Sequence, residues 1–96
     1  MGEIQITKTM FNRVRPTPVA DNATIYFDLA KDDHVQIEIY DALGRLVHRL
    51  ISGDLPAGSH QVQLKIKNNN QLPNGVYFIT MNASDYQAVK KLVIRR

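Results

Sequence analysis

The sequence predicts an all-β fold, an immunoglobulin-like antiparallel β-sandwich of about seven strands in two sheets. Three observations support this prediction. Apolar and polar residues alternate with a period of two in several segments. Short turn-forming segments rich in Asp, Asn, Gly and Pro separate those segments. Hydrophobic residues make up 44% of the 96 residues, which is enough for one modest core. Alternation that buries one face of a strand and wets the other is typical of antiparallel sheets.

The chain length indicates one domain, and we assign residues 1–96 to it. Residues 1–13 form either an N-terminal extension or the first strand, and residues 14–96 form the main body of the domain. One or two strands are possible between Ile4 and Val14.

Three central segments carry the clearest strand pattern. Residues 23–29, 34–40 and 60–66 each place apolar side chains at every second position. The intervening side chains are polar, so one face of each strand is expected to be buried. The predicted core residues are Ile25, Phe27, Leu29, Val35, Ile37, Ile39, Val62, Leu64 and Ile66.

Residues 41–53 fit two patterns. Apolar residues at Leu43, Leu46, Val47, Leu50 and Ile51 have helical spacing. Gly44 lies inside this run and would cost a helix about 1 kcal/mol. The alternative is a type I turn over residues 41–44 in which Gly44 takes a positive φ angle, followed by a strand that pairs back. The residues favour the hairpin and leave the helix open.

The last two strands are predicted at residues 76–81 and 86–95, after an Asn74-Gly75 turn. Tyr77 shares a face with Ile79 and Met81, so its ring is expected to be buried. Its hydroxyl group would then bond to nearby backbone, as in the tyrosine corner of sandwich domains.

The composition argues against several classes of function. Without Cys there is no disulfide framework, thiol nucleophile or Cys-based zinc site. His34, His48 and His60 lie far apart in the chain and form no metal-binding spacing. The net charge of +3 comes from basic residues that are spread along the sequence rather than gathered with stacking aromatics. We therefore expect no enzymatic activity, no cofactor, no metal site and no nucleic-acid partner.

Five short motifs follow one another along the chain. They are a Pro-x-Pro opening; a strand that ends in Tyr-Asp and leads to a Gly turn; a Leu-Pro-Ala-Gly turn; Leu-Pro-Asn-Gly-Val-Tyr-Phe; and a closing Lys-Lys-apolar strand. The positions that define the structural motifs are Pro16, Pro18, Asp41, Gly44, Pro73, Gly75 and Tyr77.

In this order, the motifs resemble the C-terminal sorting domain of type IX secretion cargo in Bacteroidetes-type bacteria, over roughly residues 14–96. Arg15 and Thr17 depart from the family's opening motif. The resemblance implies that the chain is the end of a larger exported protein. The signal peptide would then lie at the start of that larger protein. The resemblance also implies the hairpin at residues 41–53.

The resemblance further implies the partners and the route of the protein. The type IX translocon or a shuttle would recognise the domain, and a sortase-like enzyme would attach the cargo, which lies N-terminal to this domain. The protein would cross the periplasm and reach the cell surface or the medium. The sequence is also similar to structural immunoglobulin-like modules of surface or flagellar hook-capping-type proteins, which is the competing interpretation.

The end of the chain is the predicted recognition segment. It combines basic and apolar residues in a terminal strand that a receptor could reach without unfolding the core: Lys90, Lys91, Leu92, Val93, Ile94, Arg95 and Arg96. Strand edges at residues 4–8 and 89–95 are also candidates for pairing with a second copy, which would give a homodimer.

Overall fold

A computed structural model describes residues 6–66 and 72–96. The described residues form seven β-strands and no helix, so none of them lies in a helix that could cross a membrane. The strands are β1 (Met10–Arg15), β2 (Asn22–Leu29), β3 (Asp33–Asp41), β4 (Leu46–Leu55), β5 (Gly58–Lys65), β6 (Gly75–Ala83) and β7 (Tyr86–Ile94). The polar segment at residues 68–71 lies outside the described residues.

The strands form two antiparallel sheets, which confirms the predicted sandwich. One sheet has the order β1-β2-β5 and the other has the order β4-β3-β6-β7. In constant-type immunoglobulin domains the fourth strand belongs to the sheet of the first two strands. Here the tight turn between β3 and β4 keeps β4 beside β3 instead, which gives the arrangement of three and four strands.

The core lies between the sheets and consists of the predicted alternating side chains. Eight of the nine predicted core residues are buried, and Val62 is half-buried against the same cluster. Strands β6 and β7 add four fully buried side chains, Ile79, Met81, Leu92 and Ile94.

Residues 41–53 form the hairpin and not the helix. The Gly44 N–H donates to the Asp41 carbonyl oxygen at 3.0 Å, and Gly44 has a φ of 85°. Leu43 is 79% exposed at the tip of the turn. The register of β4 shifts twice against β3, so that Val47 and Leu50 are extra residues in bulges.

The first strand begins at Met10, so it straddles the expected boundary between residues 13 and 14. Residues 6–8 are not in a strand, and Ile4 and Gln5 lie outside the described residues. The expected edge at residues 4–8 is therefore absent from the part that the structure describes. The edge that exists on this side of the sheet belongs to β1, and it carries a bulge at Asn12.

The sandwich is elongated, with extents of 44 × 27 × 19 Å, and its two ends differ. At the end that we call the junction end, the chain leads into β1, and the Ala30 N–H donates to the Thr9 hydroxyl at 3.0 Å. The β2–β3, β4–β5 and β6–β7 connections also lie there. The opposite end, which we call the motif end, holds the β3–β4 turn, the start of β6 and the end of β7.

Candidate functional site

The motif end is organised around the Asp41 carboxylate. Its Oδ1 accepts hydrogen bonds from the backbone N–H groups of Leu43 and Arg45, each at 2.9 Å. Its Oδ2 accepts a hydrogen bond from the Arg45 Nε at 2.7 Å. The backbone bond from Arg45 is the largest cause that lowers the pKa of Asp41, so the group stays ionised and holds the turn.

Tyr77 lies beside this turn, because it pairs with Asp41 across the sheet. The Tyr77 side chain is 5% exposed, and its hydroxyl donates to the Pro73 carbonyl oxygen at 2.6 Å. This confirms the predicted buried ring and backbone bond. Burial raises the pKa of Tyr77, and the nearby Asp41 charge adds to the shift, so the hydroxyl remains a donor. Gly75, which lies two residues before Tyr77, has a φ of 156°.

The end of the last strand is built into the structure. Leu92 and Ile94 are buried, whereas Val93 is half-buried on the outer side of the sheet. The Arg96 guanidinium donates to the Leu72 carbonyl oxygen at 2.8 Å. The Arg96 N–H donates to the Asn74 side-chain oxygen at 3.1 Å. The predicted recognition segment is therefore a fixed surface that the Leu-Pro-Asn-Gly motif holds in place.

The four basic residues of this segment have different surroundings. The Lys90 ammonium lies 5.4 Å from the centre of the Phe11 ring and is half-buried. Arg96 is bonded to backbone as described above. Lys91 and Arg95 have exposed side chains. The reason for the difference is that Lys90 lies on the inner face of β7, while Lys91 lies on its outer face.

Pro16 and Pro18 lie in the exposed connection that follows β1. This connection delivers Val19, which is fully buried and forms a parallel bridge with Ile94. The Val19 N–H donates to the Val93 carbonyl oxygen at 2.8 Å, and the Arg95 N–H donates to the Val19 carbonyl oxygen at 2.9 Å. Sequence reasoning missed Val19; the signal was a lone apolar residue directly after the two prolines.

A second feature that sequence reasoning missed is the outer face of the four-stranded sheet. Its side chains include Tyr40, Leu46, Val76, Phe78 and Val89. Phe78 is 38% exposed and Val89 is 62% exposed. The alternation pattern contained the signal, because apolar residues occupy the outward positions of β6 as well as the inward ones.

The Glu38 carboxylate is buried on this outer face and fully bonded. Its Oε2 accepts from the Arg49 Nε at 2.8 Å, and its Oε1 accepts from the Tyr40 hydroxyl at 3.0 Å. The Arg49 bond is the largest cause that lowers the pKa of Glu38. In turn, the bond to Glu38 raises the pKa of Tyr40. This group fixes side-chain positions, since both of its oxygens are already occupied.

Two of the histidines bond different partners. His34 bonds Asp54 at the junction end, and the His60 ring bonds the Pro56 carbonyl oxygen. Within residues 6–66 and 72–96, no three His, Asp or Glu side chains gather as metal ligands would.

The comparison with protein families decides between the two interpretations of the sequence. The family model described as "Secretion system C-terminal sorting domain" matches residues 13–95. The chain belongs to this family. Its function is that of a C-terminal sorting signal for type IX secretion, and the structural-module alternative is not favoured.

A solved structure has the same fold as this sorting domain. It is described as the crystal structure of dimeric latent PorU from Porphyromonas gingivalis, with a TM-score of 0.62 and 24% sequence identity. The match covers 85% of the sorting domain and 9% of the PorU chain, so the domain corresponds to a small part of that protein. No curated protein matches the chain.

Proposed function

We propose that the type IX machinery recognises this domain as a folded surface, and that residues 90–96 at the motif end are part of what it reads. The observation that supports the proposal is the way the strand end is held. Leu92 and Ile94 are buried, Arg96 is bonded to residues 72 and 74, and Val19 covers the backbone at residues 93–95. A receptor that meets this end therefore finds a rigid arrangement of side chains and backbone.

The position of the motif end supports the same role. Residues 8 and 9 lie at the junction end, next to the β2–β3 connection, while Arg96 lies at the other end of the long axis. Cargo that precedes the domain therefore joins it far from the motif end, which leaves that end accessible. The recognised signal and the passenger are separated by the length of the sandwich.

The test is a secreted reporter fused to the domain in a bacterium that has the type IX system. Deletion of residues 90–96 should leave the reporter in the periplasm. Normal export after that deletion would contradict the proposal. A full-domain deletion serves as the reference for complete loss of export.

Charge variants then separate recognition from folding. Lys91→Gln with Arg95→Gln removes two exposed charges and should leave the free energy of unfolding within about 0.5 kcal/mol. Lys90→Gln with Arg96→Gln is the matched pair, because it removes the same charge but also the contacts to Phe11 and Leu72. Equal loss of export in both pairs would indicate that charge is read, and loss in the second pair alone would indicate that shape is read.

The proposal includes the rest of the route. The cargo would cross the periplasm before it reaches the surface, and translocon, shuttle and sortase-like proteins would act on it in turn. The domain itself would carry out no chemistry, because sorting requires a surface to be recognised and not a bond to be broken. Reporter found in the cytoplasm of a strain without a working translocon, rather than in its periplasm, would contradict the transit step.

Self-association through β7 is a further part of the proposal. The Val93 and Arg95 backbone groups point away from β6, toward Val19. Because backbone groups alternate along a strand, those of Gln87, Val89 and Lys91 point the same way, and an open edge can pair with another chain. Light scattering should show a dimer at high concentration. A strict monomer there would contradict this part alone.

A further inference from the structure

We propose that the motif-end half of the outer face of the four-stranded sheet is the docking site for a protein of the secretion machinery, one that presents apolar side chains flanked by carboxylates. The inference rests on the proposed function and adds the surface and the chemistry of the partner. We call this surface the docking face and define it by Tyr40, Leu46, Phe78, Val89 and Lys91.

The docking face extends across the full width of the sheet. Leu46 pairs with Tyr40, Tyr40 pairs with Phe78, and Phe78 pairs with Lys91, so one row of side chains crosses all four strands. Three interstrand spacings of about 4.8 Å make this row about 14 Å wide. Val89 lies beside the row, next to Lys91 on the outer side of β7.

Exposed apolar surface is concentrated here. Seven large hydrophobic residues are exposed in the part of the chain that the structure describes. Six of them lie on this sheet or on the hairpin that leads into it: Leu43, Leu46, Val47, Val76, Phe78 and Val89. Contiguous exposed apolar surface on a soluble domain marks an interaction site, whereas scattered residues do not.

The outer face of the other sheet shows that this is not a general property of the fold. Its outward positions are mostly polar: Thr24, Tyr26, Asp28, Ser59, Gln61 and Gln63. Each sheet buries one face in the core. Only the four-stranded sheet carries a row of apolar side chains across its outer face, where an antiparallel sheet that faces water commonly has polar residues.

The docking face is also held in place before a partner arrives. The Tyr40 hydroxyl and the Arg49 guanidinium both bond the buried Glu38 carboxylate, which fixes the Tyr40 ring and the stem of Arg49. Side chains that are already ordered lose little entropy on binding, so a rigid patch binds more tightly than a mobile one of equal area.

Charge selects the partner. Arg45 and Arg49 are paired with Asp41 and Glu38, whereas no ion pair joins Lys91 to another residue of the described ranges. The same face of a second copy would offer Lys91 no unpaired carboxylate, since Asp41 and Glu38 are already bonded to Arg45 and Arg49. A surface whose apolar residues are bordered by carboxylates would pair with Lys91 and cover the row.

The experiment is the export assay with the double variant Phe78→Thr and Val89→Thr, since threonine keeps strand propensity. Export should fall about tenfold, because apolar anchors at the centre of an interface carry most of the binding energy. Tyr26→Thr removes an aromatic ring from the other outer face and is the matched control, so its export should stay at the wild-type level.

Two further variants separate docking from folding. Val89→Thr alone changes a side chain that is 62% exposed, so it should lower export without changing the thermal midpoint of the purified domain. Lys91→Glu should also lower export, whereas Lys8→Glu, an exposed charge at the junction end, should not.

The results of these assays test the docking face separately from the sorting function. If deletion of the whole domain blocks export but Phe78→Thr/Val89→Thr and Lys91→Glu export normally, the docking face is wrong and the sorting function stands. A wild-type dimer that Phe78→Thr alone abolishes in light scattering would assign the face to a second copy, because Phe78 lies in β6 and not on the β7 edge. Binding to vesicles of anionic lipid that the double variant abolishes would assign it to a membrane. Either result would overturn the proposal.

Discussion

The junction end and the motif end of the sandwich are held together by different kinds of bond. At the junction end, side-chain carboxylates tie the connections: Asp32 accepts from the Ala57 N–H at 2.9 Å, and Asp33 accepts from the Ser84 hydroxyl at 3.0 Å. The Lys31–Asp85 ion pair there has side chains that are 61% and 84% exposed. Exposed ion pairs of this kind contribute little to stability and weaken in salt.

At the motif end, backbone and buried groups make the ties. The Tyr77 hydroxyl bonds a carbonyl oxygen, Val19 bridges to β7, and the Asp41 carboxylate is used up inside its own turn. These bonds do not depend on two long side chains that meet in water. The end that carries the family motifs therefore depends less on exposed ion pairs than the junction end does.

The two ends also differ in charge. Carboxylates outnumber basic side chains around the junction end, where Asp32, Asp33, Asp54 and Asp85 lie with Lys8 and Lys31. Basic side chains outnumber carboxylates at the motif end, where Arg15, Arg45, Arg95 and Arg96 lie with Asp21 and Asp41. Separation of charge along the long axis would speed encounter of the motif end with an acidic partner and repel the junction end from it.

Truncation of one apolar side chain at each end tests the difference between the two ends most strongly. Leu92→Ala, in the motif-end half of β7, should lower the free energy of unfolding by about 2–5 kcal/mol, because it leaves a cavity in the core. Leu55→Ala, at the junction end of β4, should cost about 1–2 kcal/mol, since Leu55 is only half-buried. Urea unfolding monitored by circular dichroism measures both. Equal losses would mean that the two ends are packed alike.

Each end also has one tyrosine hydroxyl that bonds backbone. Tyr77→Phe removes the bond to the Pro73 carbonyl oxygen and should cost about 1–2 kcal/mol. Tyr86→Phe removes the bond from the Phe11 N–H, 2.8 Å long, and should cost about 0.5–1.5 kcal/mol because that site is less buried. Tyr26→Phe is a control that should change the denaturation midpoint little. A Tyr77→Phe midpoint equal to that of wild type would remove the tyrosine corner.

Two glycines of the β3–β4 hairpin sharpen the comparison at the level of the backbone. Gly44 has a φ of 85° in the motif-end turn, so Gly44→Ala should cost about 1 kcal/mol through strain. Gly53 lies toward the junction end of β4, has no positive φ, and has nothing within 4 Å of an added Cβ. Gly53→Ala should therefore leave the thermal midpoint unchanged or raise it slightly. A larger loss of stability in Gly53→Ala than in Gly44→Ala would show that a methyl group at residue 53 meets a neighbouring atom, contrary to the open space in the structure.

The smallest expected effect concerns acid. The Arg45 backbone bond lowers the pKa of Asp41. Desolvation raises the pKa of Asp33, but the bonds from Ser84 and His34 lower it by more. A carboxyl with a depressed pKa in the folded state adds stability above its unfolded pKa of about 3.9 and loses it as the pH falls further.

Asp41→Asn and Asp33→Asn should each flatten the fall of the thermal midpoint between about pH 5 and pH 2. The effect should be larger for Asp41, whose side chain is 17% exposed. Thermal scans at a series of pH values measure it. A curve for Asp41→Asn that runs parallel to wild type would show that the turn does not depend on the ionised carboxylate.

The sequence predicted the sandwich and most of its core because apolar and polar residues alternate along strands that have one face in the core and one face in water. The hairpin at residues 41–53 was ambiguous, because a bulged edge strand such as β4 breaks the period of two at Val47 and Leu50. Tyr77 was predictable from its inward position and its turn. Val19 was not, since a single bridge residue has no period to detect.

The docking face escaped prediction for a related reason. Alternation identifies a buried face by contrast with a polar one, and β6 has apolar residues on both faces. The tie between Arg96 and Leu72 joins positions 24 apart in sequence, and nothing local marks a guanidinium that will bond a distant carbonyl oxygen.

The opposed ends also give the domain a mechanical direction. β1 and β7 both run from the junction end to the motif end, joined by the Phe11–Tyr86 bond and, beyond β1, by the Val19 bridge. Force applied between the start of β1 and the end of β7 would load these bonds in shear. The bonds would then have to break together and could not open one after another. The domain is therefore arranged to resist force between the chain that leads into β1 and the end of β7.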